Sequence, residues 1–162
     1  FQGGIGLVAS RLQFEAPIIK DKLTIATGMR GSFSDFLFKI IPDANVQQTK
    51  ANFYDFTTKI AFRPTKKDQI YLTTYLSGDL FRLAGDSLSK LEVNASSSTF
   101  KWQTNNATLR WNHTYNDKLF STITAVWSNY QSNISSPDEA TGFGLKASTL
   151  YQSIKALFNY ST

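Results

Sequence analysis

The chain has 162 residues, of which 41 % are hydrophobic and 18 % are charged, and its formal net charge is +5. Because it has no cysteine and one histidine, a disulfide framework, a thiolate metal site and a multi-histidine metal site are excluded. The 17 basic residues are scattered, with Lys66 and Lys67 as the only adjacent pair, which favours ordinary surface charge over nucleic-acid binding.

The first half of the chain alternates apolar and polar residues with a period of two, which is typical of β-strands. This pattern predicts strands over about 5–16, 23–33, 51–63 and 69–78. Pro17 is expected to end the first strand, because proline cannot donate a hydrogen bond to a neighbouring strand. No stretch approaches the ~18 consecutive apolar residues of a transmembrane helix, and no segment has a helical period.

The second half continues the alternation in a hairpin over 107–127, where Leu109 and Trp111 share one parity and Arg110 and Asn112 share the other. A final strand is predicted over about 151–161. The connections alternate in length along the whole chain. Short turns are expected at 18–22, 64–68 and 116–118, and long loops at 34–50, 79–98 and 131–150.

Long strands, one polar and one apolar parity, and long connections at one end only are typical of an antiparallel transmembrane β-barrel. Such a barrel satisfies every backbone group within the lipid. A soluble β-sandwich also has alternating strands, but it needs a turn every ~8–12 residues. The pattern therefore favours a barrel over a sandwich.

Four segments carry a resemblance to a known family: "GGIGLVASRLQFEAPIIKDKL" (3–23), "FYDFTTKIAF" (53–62), "YLTTYLSGD" (71–79) and "ATLRWNHTYNDKLFS" (107–121). They resemble consecutive barrel segments of TonB-dependent outer-membrane receptors, of the type with a carboxypeptidase-like regulatory domain before the plug. The resemblance spans nearly the whole chain.

The resemblance implies a 22-stranded barrel, of which this chain supplies about seven consecutive strands, without the plug and the TonB box. It implies a location in the outer membrane of a Gram-negative bacterium and energy-coupled import of a nutrient. The expected partners are the outer-membrane lipid, the rest of the barrel with its plug, the TonB system acting through that plug, and a surface lipoprotein as in related transporters. No cofactor, metal, nucleic acid or enzymatic activity is expected.

Two sets of residues are candidates for contact with a substrate or with the plug, although the substrate itself stays unknown. The charged and aromatic residues on the polar parity are expected to face the lumen: Arg30, Asp55, Lys59, Arg63, Tyr71, Tyr75 and Arg110. The aromatic residues predicted in loops are Phe36, Phe38 and Phe81. His113 has no catalytic partner placed by the sequence, which favours a structural role.

Two alternatives stay open at this stage. One is a small closed outer-membrane barrel with a structural or adhesion role. The other is a soluble β-sandwich that acts as a binding module. The three hypotheses differ in what the Phe, Tyr and Trp side chains of the apolar parity contact.

Overall fold

The structure is a computed structural model that describes residues 1–6, 8–32, 35–42, 47, 49–83, 98–136 and 142–161. These residues form eight strands and one short helix. The strands and the helix are β1 (Gln2–Ile5), β2 (Ala9–Ile19), β3 (Leu23–Ser32), α1 (Asp35–Ile40), β4 (Lys50–Phe62), β5 (Asp68–Leu83), β6 (Ser98–Thr114), β7 (Leu119–Ser136) and β8 (Phe143–Tyr160).

All eight strands belong to one antiparallel sheet, and each strand pairs with its neighbours in sequence, in the order β1 to β8. The predicted all-β class is therefore confirmed. In the described part of the chain the sheet is open, with β1 and β8 at its edges. Successive connections alternate between the two ends of the sheet, so the short turns after β2, β4 and β6 lie at one end. The long connections after β3 and β5 lie at the other end, together with the short β1–β2 connection.

Local hydrogen bonds form the short turns. Asp21 has a φ of 59°, a left-handed conformation that aspartate tolerates better than most residues, and the N–H of Lys22 donates to the carbonyl of Ile19 at 3.0 Å. In the turn before β7, the side-chain oxygen of Asn116 accepts from the backbone N–H groups of Lys118 and Leu119 at 2.9 Å. Such side-chain acceptors explain why Asp and Asn recur in these turns.

The structure differs from the expected elements in three places. There are eight strands and not about seven, because Gln2–Ile5 adds a strand too short to show alternation. The segment 34–50 contains the helix α1, where no helix was expected. Strand β5 extends to Leu83 in the predicted loop 79–98, and β7 and β8 take up most of the predicted loop 131–150. Residues 84–97 and 137–141 of these loops lie outside the described residues.

Pro17 does not end its strand, since β2 continues to Ile19 with a register shift after the proline. The physical reason is that β1 does not reach this part of β2. β1 pairs only with residues Ser10 to Gln13 of β2, so the stretch with Pro17 has a neighbour on one side only. A proline is tolerated on such an edge.

The sheet is a single layer without an apolar core of its own. Among the described residues, the buried polar side chains are Ser98, Ser121 and Ser136, and the one fully buried side chain is that of Ser121. Many large apolar side chains are exposed, for example Leu109 and Ile154. A sheet with an apolar face needs cover from another layer or from lipid. Within the described residues, no helix is long and apolar enough to cross a membrane.

Candidate functional site

The register of the sheet assigns every strand residue to one of two faces, because directly paired residues point to the same side. One row of paired residues is apolar across seven strands: Ala16, Ile25, Ile60, Leu72, Leu109, Ala125 and Ile154. The side of the sheet that carries this row is called the belt face here. The other side is called the opposite face.

The apolar residues of the belt face are together called the apolar belt here. The belt ends at different levels on different strands: at Leu80 on β5, but on β6 at Ala107, the cross-strand partner of Thr74. The row of the belt nearest the short turns contains Leu23, Phe62, Ile70, Trp111 and Ile123. On β5 the belt runs from Ile70 to Leu80. Ten residues rise about 33 Å along a strand, and a strand tilt of about 40° reduces this to about 25 Å, the height of the lipid-facing band of a membrane barrel.

Polar groups inside the belt satisfy one another. The hydroxyl oxygens of Thr27 and Thr58, which are direct cross-strand partners, lie 3.2 Å apart. The hydroxyl of Thr27 also lies 3.1 Å from the carbonyl oxygen of Thr57 and donates to it. Internal pairing of this kind is what a surface without water requires.

Below the belt, at the short-turn end, Asp68 organises a cluster of aromatic side chains. Its Oδ1 accepts a hydrogen bond from the indole Nε1 of Trp111 at 2.9 Å and lies 2.6 Å from Nδ1 of His113. The ring of His113 meets the ring of Tyr115 edge-on, with centroids 4.5 Å apart. Aromatic rings with a polar tip are typical of a boundary between an apolar phase and water.

The pKa of the Asp68 carboxyl is lowered from 3.8 to about 2. The largest cause is the hydroxyl of Thr65, which donates to Oδ2 at 2.6 Å. The hydrogen bonds with His113 and Trp111 add to the effect. All three favour the ionised carboxylate, so Asp68 keeps its charge at the end of the sheet.

Above the belt, toward the long loops, the polarity of the two faces is exchanged. On β6 the belt-face residues become Asn105, Gln103 and Lys101, while the opposite face presents Trp102 and Phe100. On β7 the belt face similarly continues with Asn129, Gln131 and Asn133. The alternation itself continues without a break, so the change marks a change of surroundings along the strand.

Aromatic rings accumulate on the opposite face at this upper end. The rings of Phe81 and Phe100 lie 6.3 Å apart, and those of Phe100 and Trp102 lie 5.9 Å apart and are stacked. The guanidinium of Arg30 lies over the ring of Phe53 at 5.1 Å from its centroid. The upper opposite face is therefore partly apolar, in contrast to its lower half.

The structure places the expected lumen-facing residues together. Six of them share the opposite face by register: Arg30, Asp55, Lys59, Tyr71, Tyr75 and Arg110. Arg63 directly follows β4, and its backbone N–H donates to the carbonyl of Lys22 at 2.7 Å. The substrate role of these residues stays a prediction.

Two local groups form within that set. Arg30 and Asp55 make an ion pair with an N–O distance of 2.7 Å. Lys59 lies over the ring of Tyr71 at 5.6 Å from its centroid, and the two side chains line a hollow of about 230 Å³ together with Arg110. An ion pair with an exposed partner, such as the Arg30 guanidinium here, contributes little to stability.

The aromatic residues expected in loops have different surroundings. Phe36 and Phe38 lie in α1, which Asp35 ties to β4 by accepting from the backbone N–H of Ala51 at 3.1 Å and from the Asn52 amide at 2.8 Å. Phe81 was expected in a loop, and this placement is wrong, because β5 extends to Leu83. The alternation around Phe81 continues past residue 79 with reversed polarity, which hid the strand.

Sequence reasoning also missed Asp68, which it placed in a turn without a role. The feature that could have pointed to this cluster is the spacing of Trp111, His113 and Tyr115, which gives three aromatic rings the same parity in the next strand. No group of three or more His, Cys, Asp or Glu in the described ranges is arranged to hold a metal ion. Comparison with protein-family models, with curated proteins and with solved structures finds no match.

Proposed function

We propose that this chain is part of the wall of a TonB-dependent outer-membrane transporter that imports a nutrient by energy-coupled uptake. The observation that carries the proposal is the exchange of polarity between the two faces halfway along β6. It adds to the family resemblance of four segments of the sequence.

The exchange favours a membrane wall over a soluble sandwich. In a sandwich the inner face contacts the second sheet along its whole length, so one parity stays apolar from end to end. In a membrane wall the outer face meets lipid for about 25 Å and then meets water. On β6 the belt face changes from apolar Leu109 and Ala107 to polar Asn105 and Gln103, which a face packed on a second sheet along its whole length would not do.

Each face then has its own role. The apolar belt contacts lipid, and the Asp68 cluster lies at the membrane surface on the short-turn side. The opposite face lines the lumen, where Arg30, Asp55 and Lys59 contact the plug or the passing substrate. Transport is driven by TonB through the plug, and the chain supplies wall and loops without catalysis or cofactor.

Tryptophan fluorescence in lipid tests this orientation. Trp127 lies on the belt face, where its cross-strand partner is Ala107. Trp102 lies on the opposite face, where its cross-strand partner is Asp79. Variants of the protein that keep one of these tryptophans, with the others replaced by phenylalanine, are reconstituted into vesicles with brominated acyl chains. We expect strong quenching of Trp127 and little quenching of Trp102.

Equal quenching of the two tryptophans would contradict the assigned faces. If neither tryptophan were quenched, the result would contradict the membrane location and would favour the soluble β-sandwich. Trp111, at the edge of the belt nearest the short turns, provides a depth control, since it is expected to be quenched by bromines near the headgroups and less by bromines at the chain ends.

A further inference from the structure

The belt face carries four positive charges beyond the apolar belt, on the long-loop side. They are Lys50, Arg82, Lys101 and Lys146, and they are called the cationic band here. All four side chains are exposed. Among the described strand residues of the belt face, the one carboxylate is Asp68, at the other end of the belt. Charge is therefore separated along this face.

The register brings the band together. Lys50 is the direct cross-strand partner of Arg82, so their Cβ atoms lie about 5 Å apart. Arg82 pairs with Thr99, two residues from Lys101, which makes Arg82 and Lys101 diagonal neighbours. Like charges directly opposite each other destabilise a sheet. An anion between these side chains would remove that repulsion.

A shallow groove of about 360 Å³ lies directly beneath the band. Its lining includes the apolar residues Tyr54 and Leu80 together with Lys101 and Gln103. Gly78 lies under the ring of its partner Tyr54, which occupies the space that a side chain at position 78 would need. Apolar side chains with cations next to them are complementary to an anionic lipid, whose acyl chains are apolar and whose headgroup carries the negative charge.

We propose that the cationic band binds the phosphate groups of anionic lipid headgroups in the leaflet on the long-loop side. The inference rests on the proposed function, since it needs the apolar belt to lie in a membrane. Arg82 is two residues beyond Leu80, about 7 Å along the strand. That distance puts it where the hydrocarbon ends and the headgroups begin.

Selective lipid retention tests the proposal. The protein is equilibrated in mixed micelles with equal amounts of phosphatidylglycerol and phosphatidylcholine, and the lipids retained on it are counted by native mass spectrometry. We expect preferential retention of phosphatidylglycerol. The double variant Arg82→Gln and Lys101→Gln should reduce this preference about fivefold per cation removed, and salt at high concentration should reduce it as well.

A matched double variant on the opposite face, Arg11→Gln and Lys155→Gln, removes the same charge and should leave the preference unchanged. Equal loss in both variants would overturn the proposal, because general charge would then explain the retention. If inorganic phosphate alone stabilised the wild type against heat as well as the anionic lipid does, the lipid assignment would also fail.

The quenching of Trp127 by brominated lipid is recorded for the same samples. If Trp127 is quenched and the Arg82 and Lys101 variant retains its full lipid preference, the band does not bind headgroups but the membrane location stands. If Trp127 is not quenched, the proposed function fails first.

Discussion

Gly78 lies within β5, where the ring of its cross-strand partner Tyr54 covers it. A Cβ atom at position 78 would come within 2.6 Å of that ring. Glycine in a strand costs stability through its conformational freedom, and the ring contact gives a reason for it here. Tyr54 can lie flat on the belt face only if its partner has no side chain.

We therefore expect Gly78→Ala to destabilise the protein by about 1 kcal/mol, because the Tyr54 ring must leave its position. In a Tyr54→Ala background the same change should be neutral or stabilise by about 0.5 kcal/mol. Denaturant unfolding of the four proteins of this double-mutant cycle measures the coupling.

Gly144→Ala in β8 is the matched control, since a Cβ atom there has no neighbour within 4 Å. It should be neutral or slightly stabilising. If Gly78→Ala behaved like Gly144→Ala, the ring of Tyr54 would not be held over the strand.

Asp68 gives the short-turn end of the sheet a pH dependence. Its pKa in the folded state is about 2, below the ordinary value of 3.8. A group with a lowered pKa contributes stability that is present above its unfolded pKa and is lost as the pH falls through its folded pKa. The contribution of Asp68 is therefore complete above about pH 4 and disappears toward pH 2.

We expect Asp68→Asn to lower the thermal midpoint at neutral pH, and the difference from the wild type to shrink between pH 4 and pH 2. Thermal unfolding of both proteins across this range measures it. Asp117→Asn, in the short turn before β7, is the control. A difference that did not change with pH would show that Asp68 acts through its shape and not through its charge.

At the scale of the strand, β7 has a small residue at a comparable position on each face of the sheet. Ala125 lies in the belt row between Leu109 and Ile154, and Ser128 lies on the opposite face between Asn106 and Tyr151. Both are small residues with uncharged partners, so the same substitution at the two positions compares the two faces, which the proposed function assigns to lipid and to the lumen.

We expect Ala125→Lys to cost about 2–4 kcal/mol in lipid vesicles, because the ammonium group enters the hydrocarbon. Ser128→Lys should cost less than about 1 kcal/mol, since its face is wet. Urea unfolding in vesicles measures both. Equal costs would mean that the two faces meet the same solvent.

The strands whose apolar parity is constant were predictable from the sequence, and those whose apolar parity changes were not. From Leu23 to Phe62 the apolar parity is constant, so the period of two identified β3 and β4 within a few residues. On β6 the apolar parity changes after Ala107, and the strand was therefore predicted to begin only at 107, with 99–106 left unassigned. The contacts of Asp68 with His113 and of Lys50 with Arg82 depend on how two strands are aligned. The sequence of neither strand alone determines that alignment.

At the scale of the whole molecule, the described sheet presents β8 as an edge strand of 18 residues. Its side chains are exposed on both faces along most of its length. A long unpaired edge invites association with other strands, and in lipid it would leave backbone groups without partners. The stable solution in a membrane is closure through further strands.

The size of the folded protein separates the remaining hypotheses. We expect the protein that contains this chain to migrate in SDS gels as a heat-modifiable band several times larger than 18.2 kDa, the mass of these 162 residues. Unboiled and boiled samples of native membranes, followed with an antibody against this sequence, measure it. A heat-modifiable band near 18.2 kDa would instead indicate a small closed barrel. A soluble band without a heat shift would contradict both and would favour the soluble β-sandwich, in which a second layer covers the apolar face.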